Sequence, residues 1–128
     1  MRSPPEVQLE ALSLSCQQLP GVALIQVGGQ LDVTNDTQLE AFVLQARRRL
    51  SDHLVFDLGE LTFMGSSGLR VVLDAYRAGA GHGGAVYLAA LQPEPARLVE
   101  ITGAGRHLRV CATALEALTH ALAARITE

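Results

Sequence analysis

Lysine and tryptophan are missing from the 128 residues, aromatic side chains make up 4%, and cysteine occurs twice. Each shortage excludes something. A phosphate-binding P-loop needs a lysine for the β- and γ-phosphates, and there is none. All ten basic residues are arginine and the formal net charge is −3, so the clustered cationic surplus of a nucleic-acid binder is absent. The single arginine run, Arg47-Arg48-Arg49, falls near the end of an expected helix, where it would meet the negative end of the helix dipole. Cys16 and Cys111 have no CxxC spacing and no adjoining histidine that would suggest zinc. They are expected to be small buried hydrophobes in a reducing compartment. No apolar run approaches the roughly 18 residues needed to cross a bilayer. The opening Met1-Arg2-Ser3-Pro4-Pro5-Glu6 carries no apolar signal core. The expectation is therefore a cytoplasmic protein with no membrane and no nucleic acid among its partners.

What is present is a large aliphatic fraction. Hydrophobic residues reach 48%, enough for one core without disulfide or metal support. Val7 to Ser15 alternates apolar and polar residues, as a half-buried strand does. Gln17 to Gly21 reads as a hairpin turn. The apolar run Val22 to Val27 reads as a central strand, ended by Gly28-Gly29. Thr37 with Glu40 fits a capping box, ahead of Leu39, Phe42 or Val43, Ala46 and Leu50 at helical spacing. His53 to Leu58 is the next strand, followed by a loop from Gly59 to Ser66 and a helix starting near Ser67 or Gly68. Leu69, Val72, Leu73 and Tyr76 mark that helix's buried side. Ala85 to Ala90 forms a further strand. Pro93 or Pro95 opens a short helix through Leu98 and Ile101 to Gly103. A short strand at His107 to Val110 and a helix from Thr113 to Ala124 complete the chain. Strands alternating with helices predict parallel pairing by right-handed crossovers, with the opening hairpin antiparallel. The fold class expected is α/β, a single domain over residues 7–126 behind a flexible segment 1–6. Its mixed sheet is mostly parallel, with an antiparallel N-terminal hairpin, and is covered mainly on one face by about four helices.

Enzyme motifs fail one after another. A nucleophile elbow needs glycine two residues either side of serine. Ser66 has Met64 and Gly68 there, and Ser67 has Gly65 and Leu69. The histidines His53, His82, His107 and His120 show no metal spacing and are expected at the surface or at caps. Gly79, Gly81, Gly83 and Gly84 follow a helix and precede a strand, the reverse of a dinucleotide loop. No catalytic residue, metal or cofactor is expected.

The passage Phe56-Asp57-Leu58-Gly59-Glu60-Leu61-Thr62-Phe63-Met64-Gly65-Ser66-Ser67-Gly68-Leu69 is the exception to this blandness. It sets two hydroxyls at a helix N-terminus beside Phe63 and Met64, both expected to be exposed. Serine is a favoured N-cap, and one of the pair is expected to serve as one. The second is spare. A helix N-terminus favours a phosphate there, so the spare hydroxyl is a candidate phosphoacceptor.

At these residues the chain resembles the STAS domain of anti-sigma factor antagonists. Asp57-Leu58 through Phe63 to Gly68-Leu69 follows the family's motif of aspartate-leucine, an aromatic or isoleucine, aspartate, two hydroxyls, glycine and leucine. Gly29-Gln30-Leu31-Asp32 is similar to its glycine-x-leucine-aspartate turn. Ile101-Thr102-Gly103 with Leu108 and Val110, and then Thr113, Glu116, Ala117 and Leu118, are similar to its closing segments. The resemblance implies an anti-sigma factor antagonist that binds an anti-sigma factor with serine-protein kinase activity in a partner switch and so frees a sigma factor. A serine phosphatase would be a further partner. It implies Ser66 as the phosphoacceptor, with Ser67 as cap or secondary site. It implies a partner-binding face of Asp32, Phe63, Met64, Gly65, Ser66, Ser67 and Leu69. One position departs: the family usually carries aspartate before the phosphorylated serine, and here that residue is Gly65. The alternatives are a STAS scaffold or constitutive antagonist without phosphorylation, and a STAS small-ligand or nucleotide sensor.

Overall fold

The apolar runs become strands wherever their β-branched and leucine residues can be buried on both faces. Residues 12–127 are described by a computed structural model. The elements are β1 (Ser13–Leu19), β2 (Val22–Leu31), α1 (Asp36–Ala46), β3 (His53–Met64), α2 (Ser66–Ala80), β4 (Val86–Ala89), α3 (Pro93–Thr102), a 3-10 turn (Ala104–Arg106), β5 (Arg109–Cys111) and α4 (Ala114–Thr127). They build one five-stranded sheet in the order β1-β2-β3-β4-β5, antiparallel between β1 and β2 and parallel elsewhere. The expected single mixed sheet with an antiparallel opening hairpin is therefore observed. The segment 1–6 and the first residues of the strand expected from Val7 lie outside the described residues.

One face of the sheet, through Ile25, Leu54, Phe56 and Leu88, packs under α1, α2 and α3, and Val43, Leu69, Val72 and Val99 fill that layer. The other face, through Val22, Leu24, Val55 and Tyr87, takes Ala117 and Ala121 of α4. Three helices thus cover one side and one covers the other. Small alanines on α4 bring that helix close to a narrow strip of sheet.

Several local expectations are corrected. β1 runs on to Leu19, and the hairpin closes through Pro20-Gly21 alone, with Gly21 at φ 72°. This is the order a type II turn asks for, since proline fixes the first φ and glycine supplies the positive second. Gly28-Gly29 does not end β2, because pairing with β3 continues to Leu31. The stretch from Gly59, expected as a loop, is strand as far as Met64. Between Gln26 and Gly28, and again between Gly29 and Gln30, β3 gains one residue on β2. These bulges break strict alternation, so Leu58, Leu61 and Met64 recur every third residue and all point into the core.

The Arg47 run lies beyond α1 rather than in its last turn. Arg47 is the C-cap, so the run begins at the end of α1, and the Arg47 side chain folds over to donate to the Ala75 carbonyl of α2 at 2.8 Å. The capping box at Thr37 is not formed; Asn35 is the α1 N-cap and its side chain is engaged elsewhere. His53 is buried and accepts from the Ala85 N–H at 2.9 Å, locking the entry to β4. Cys16 is exposed on the edge strand and Cys111 half-buried, so neither is the core residue expected.

Candidate functional site: the end of β3 and the start of α2

The site begins where the bulged strand β3 stops. Only Gly65 separates Met64 from α2, so the strand hands the chain directly to the helix. Gly65 is the N-cap, at φ −81° and ψ 170°, an extended conformation open to any residue. Its carbonyl accepts from the Gly68 and Leu69 N–H groups at 3.1 and 3.2 Å. Neither serine caps the helix, contrary to expectation. Ser66 is the first helical residue and is exposed, while the Ser67 hydroxyl oxygen is buried with no hydrogen-bond partner. Ser66 is therefore open to solvent, whereas the hydroxyl of Ser67, expected as cap or secondary site, is closed off.

Gly68 sets how near α2 lies to the end of β2. A Cβ there would stand 2.5 Å from both Cγ and Cδ2 of Leu31, which is 1% exposed. Glycine at this position lets the first turn of α2 rest on Leu31. The Gly65 N–H then donates to the Leu31 carbonyl at 2.8 Å. The next residue after Leu31 is Asp32, so the turn that follows β2 is brought beside Gly65, where a Cβ would stand 3.8 Å from Asp32 Cα.

That turn is held by its own side chains. The Asn35 carboxamide accepts from the Asp32 N–H at 3.0 Å and donates to the Gln30 carbonyl at 2.9 Å. Asp32 Oδ1 accepts from the Thr34 hydroxyl and the Thr34 N–H, and these bonds hold its carboxyl below the ordinary Asp range. Asp36, buried at the start of α1, faces Arg70 of α2 at 3.8 Å. Arg70 also binds Asp74 at 2.9 Å.

Of the expected contact residues, the structure brings Asp32, Phe63, Gly65 and Ser66 together near the surface. Met64 and Leu69 are a correction. They are 4% and 3% exposed and belong to the core, because the bulges in β3 rotate Met64 inward and Leu69 lies on the packed side of α2. They shape the surface from beneath without forming it. Phe63 is 40% exposed, as expected.

Three residues near the site escaped the sequence reading. Val33, next to Asp32, is 76% exposed, and Ile101 of α3 is 72% exposed although its spacing suggested burial. Arg97 of α3 is exposed as well. An open depression of about 430 Å³ connects this helix to the serine, lined by Phe63, Met64, Gly65, Ser66, Pro93, Glu94, Arg97, Leu98 and Ile101. Only the three-dimensional placement of α3 could reveal it. Among the described residues no cluster of His, Cys, Asp and Glu could hold a metal, and no helix is long and apolar enough to cross a membrane.

The sequence pattern of the STAS domain matches residues 13–117, most of the chain and all of the sheet. The chain belongs to the STAS domain family. This STAS domain is 28% identical over 109 residues to an anti-sigma F factor antagonist of Paenibacillus polymyxa, covering 84% of this chain and 93% of that protein. Among solved structures it resembles an anti-sigma factor antagonist from Mycobacterium paratuberculosis, with a TM-score of 0.74 at 25% identity over 88% of this chain and 95% of that one. It also shares the fold of the phosphorylated form of the Bacillus cell fate determinant SpoIIAA, with a TM-score of 0.65 at 22% identity over 84% of this chain and 98% of that one.

Proposed function

We propose that this STAS protein is an anti-sigma factor antagonist, a cytoplasmic binding protein rather than an enzyme. It docks on an anti-sigma factor with serine-kinase activity and thereby frees a sigma factor. Ser66 is the phosphoacceptor that ends the contact. The observation that carries the reading is the exposed Ser66 hydroxyl in the first turn of α2, bonded through Gly65 and Leu31 to the Asp32 turn. The relatives named antagonists support it, and so does the fold shared with a protein solved in phosphorylated form.

The docking face in this proposal is Asp32, Val33, Phe63, Gly65 and Ser66, with Ile101 at its margin. Its apolar members stand in water and gain by being covered. Phosphorylation moves the γ-phosphoryl group of ATP to Ser66 Oγ, with release of ADP and loss of the hydroxyl proton. The product places about −1.5 to −2 charges among those apolar side chains, and covering them would then strip water from a dianion.

Incubating the protein with ATP and the serine-kinase anti-sigma factors of its own genome tests this directly. Mass spectrometry should find phosphate on Ser66, Ser66→Ala should bind but not be labelled, and Ser66→Asp should bind more weakly. Binding by none of these kinases would refute the antagonist reading. Tight binding with no phosphate at Ser66 would favour the constitutive antagonist, in which Gly65 takes the place of a carboxylate that assists transfer.

A further inference from the structure

The depression beside Ser66 contains one cation, and its state is unusual among the arginines of α2 and α3. Arg70 and Arg77 are tied to Asp74, and Arg70 also faces Asp36. Arg97 lines the same depression as Ser66, is exposed, and among the described residues forms no ion pair. Its neighbours on α3 offer Glu94 three residues before and Glu100 three residues after, yet neither bonds it. The guanidinium is thus available in the same open depression as the serine hydroxyl, whose lining between the two helices also includes Phe63, Met64 and Leu98.

We propose that Arg97 is the internal receptor of a phosphate on Ser66. This rests on Ser66 being the phosphoacceptor. In the unmodified protein Arg97 is a free cation beside the docking face, able to meet a carboxylate of the partner. Once Ser66 is phosphorylated, the guanidinium turns across the depression and binds two phosphate oxygens, the planar pairing that arginine makes best. Modification then changes the face twice over. It adds a dianion at Ser66 and withdraws the cation of α3 from the partner.

The charged groups that face the phosphate can be named. Arg97 on α3 attracts it, Glu94 in the same depression repels it, Asp32 beside Gly65 adds a second carboxylate, and Arg70 stands one helical turn on from Ser66 in α2. Arg70 is the competing receptor, since side chains four apart on a helix are neighbours. Its two carboxylate partners already hold it. The phosphate therefore turns to Arg97.

The test installs phosphoserine at position 66 during translation, so it does not depend on any kinase. The second ionisation of the phosphate is followed by 31P NMR in the wild type and in Arg97→Gln, Arg70→Gln and Glu94→Gln. Loss of a close cation should raise that pKa by about 0.5 unit or more in Arg97→Gln, while Arg70→Gln changes it by less than half as much. Glu94→Gln should lower it. Circular dichroism of each variant establishes that the fold is retained. An unchanged pKa in Arg97→Gln, or a shift carried by Arg70→Gln instead, would overturn the proposal. Failure of the kinase to label Ser66 in the separate assay would remove its physiological setting, and the NMR result would still report whether Arg97 holds the phosphate.

Discussion

Replacing Gly68 with alanine probes the contact on which the whole site depends. The new Cβ would lie 2.5 Å from Cγ and Cδ2 of Leu31, whereas carbons in good contact stay about 3.5–4.0 Å apart. Relief requires a movement of more than 1 Å by one side or the other. Leu31 is 1% exposed and packed in the same core as Leu39, Leu61 and Met64, so it has no empty space to enter. Overpacking of this kind costs about 1–3 kcal/mol. Alanine recovers about 1 kcal/mol over glycine in a helix, which leaves a net loss of up to about 2 kcal/mol. For a chain of this length that is a fall in Tm of up to about 10 °C. Calorimetry and urea unfolding measure it, and the same change in a Leu31→Ala background supplies the control. There the clashing atoms are gone, and Gly68→Ala should be neutral or stabilising. Because the Leu31 carbonyl holds the Gly65 N–H, partner binding should weaken beyond what the stability loss explains. If Gly68→Ala costs the same in both backgrounds, then α2 does not rest on Leu31 as described.

Three further outcomes follow from the same geometry. Met64→Ala should destabilise by about 2–5 kcal/mol, because a 4% exposed side chain leaves a cavity, and a mere loss of partner affinity at unchanged Tm would contradict its burial. Gly65→Asp should fold normally, since its backbone is extended and a Cβ meets nothing closer than 3.6 Å, and it should be phosphorylated faster; an early melt with no faster labelling would count against both points. Asp32 has a folded pKa below its ordinary 3.8, so the stability it contributes is present above that value and lost as pH falls through the lower folded one. Asp32→Asn should therefore reduce the loss of stability below about pH 4, measured by urea unfolding across pH, and an unchanged acid limb would show that the Thr34 bonds add nothing to stability.

The order of elements was written in the sequence because each strand carries its own apolar run and each helix its own period. The runs Val22 to Val27 and Ala85 to Ala90, the helix stop at Gly103 and the antiparallel hairpin could all be read locally. So could the pairing of two hydroxyls with Gly68, and the resemblance that this motif carries. What could not be read was decided by neighbours distant in the chain. Strand β3 continues through Gly59 to Met64 only because β2 runs beside it, and the two bulges set which residues turn inward. A one-residue change of phase moves a side chain to the opposite face, so Met64 could be assigned outward by alternation and still lie in the core. The serines depended on the same kind of decision. Either could have capped α2 by its chemistry, but the bond from Gly65 to Leu31 and the packing of Gly68 fixed the start of the helix one residue earlier. That placement exposed Ser66 and closed off Ser67. Nor does any local pattern join Ser66 to Arg97, 31 positions on. Local propensity is a property of a segment, but which hydroxyl meets solvent and which cation shares its depression depend on how separate segments pack.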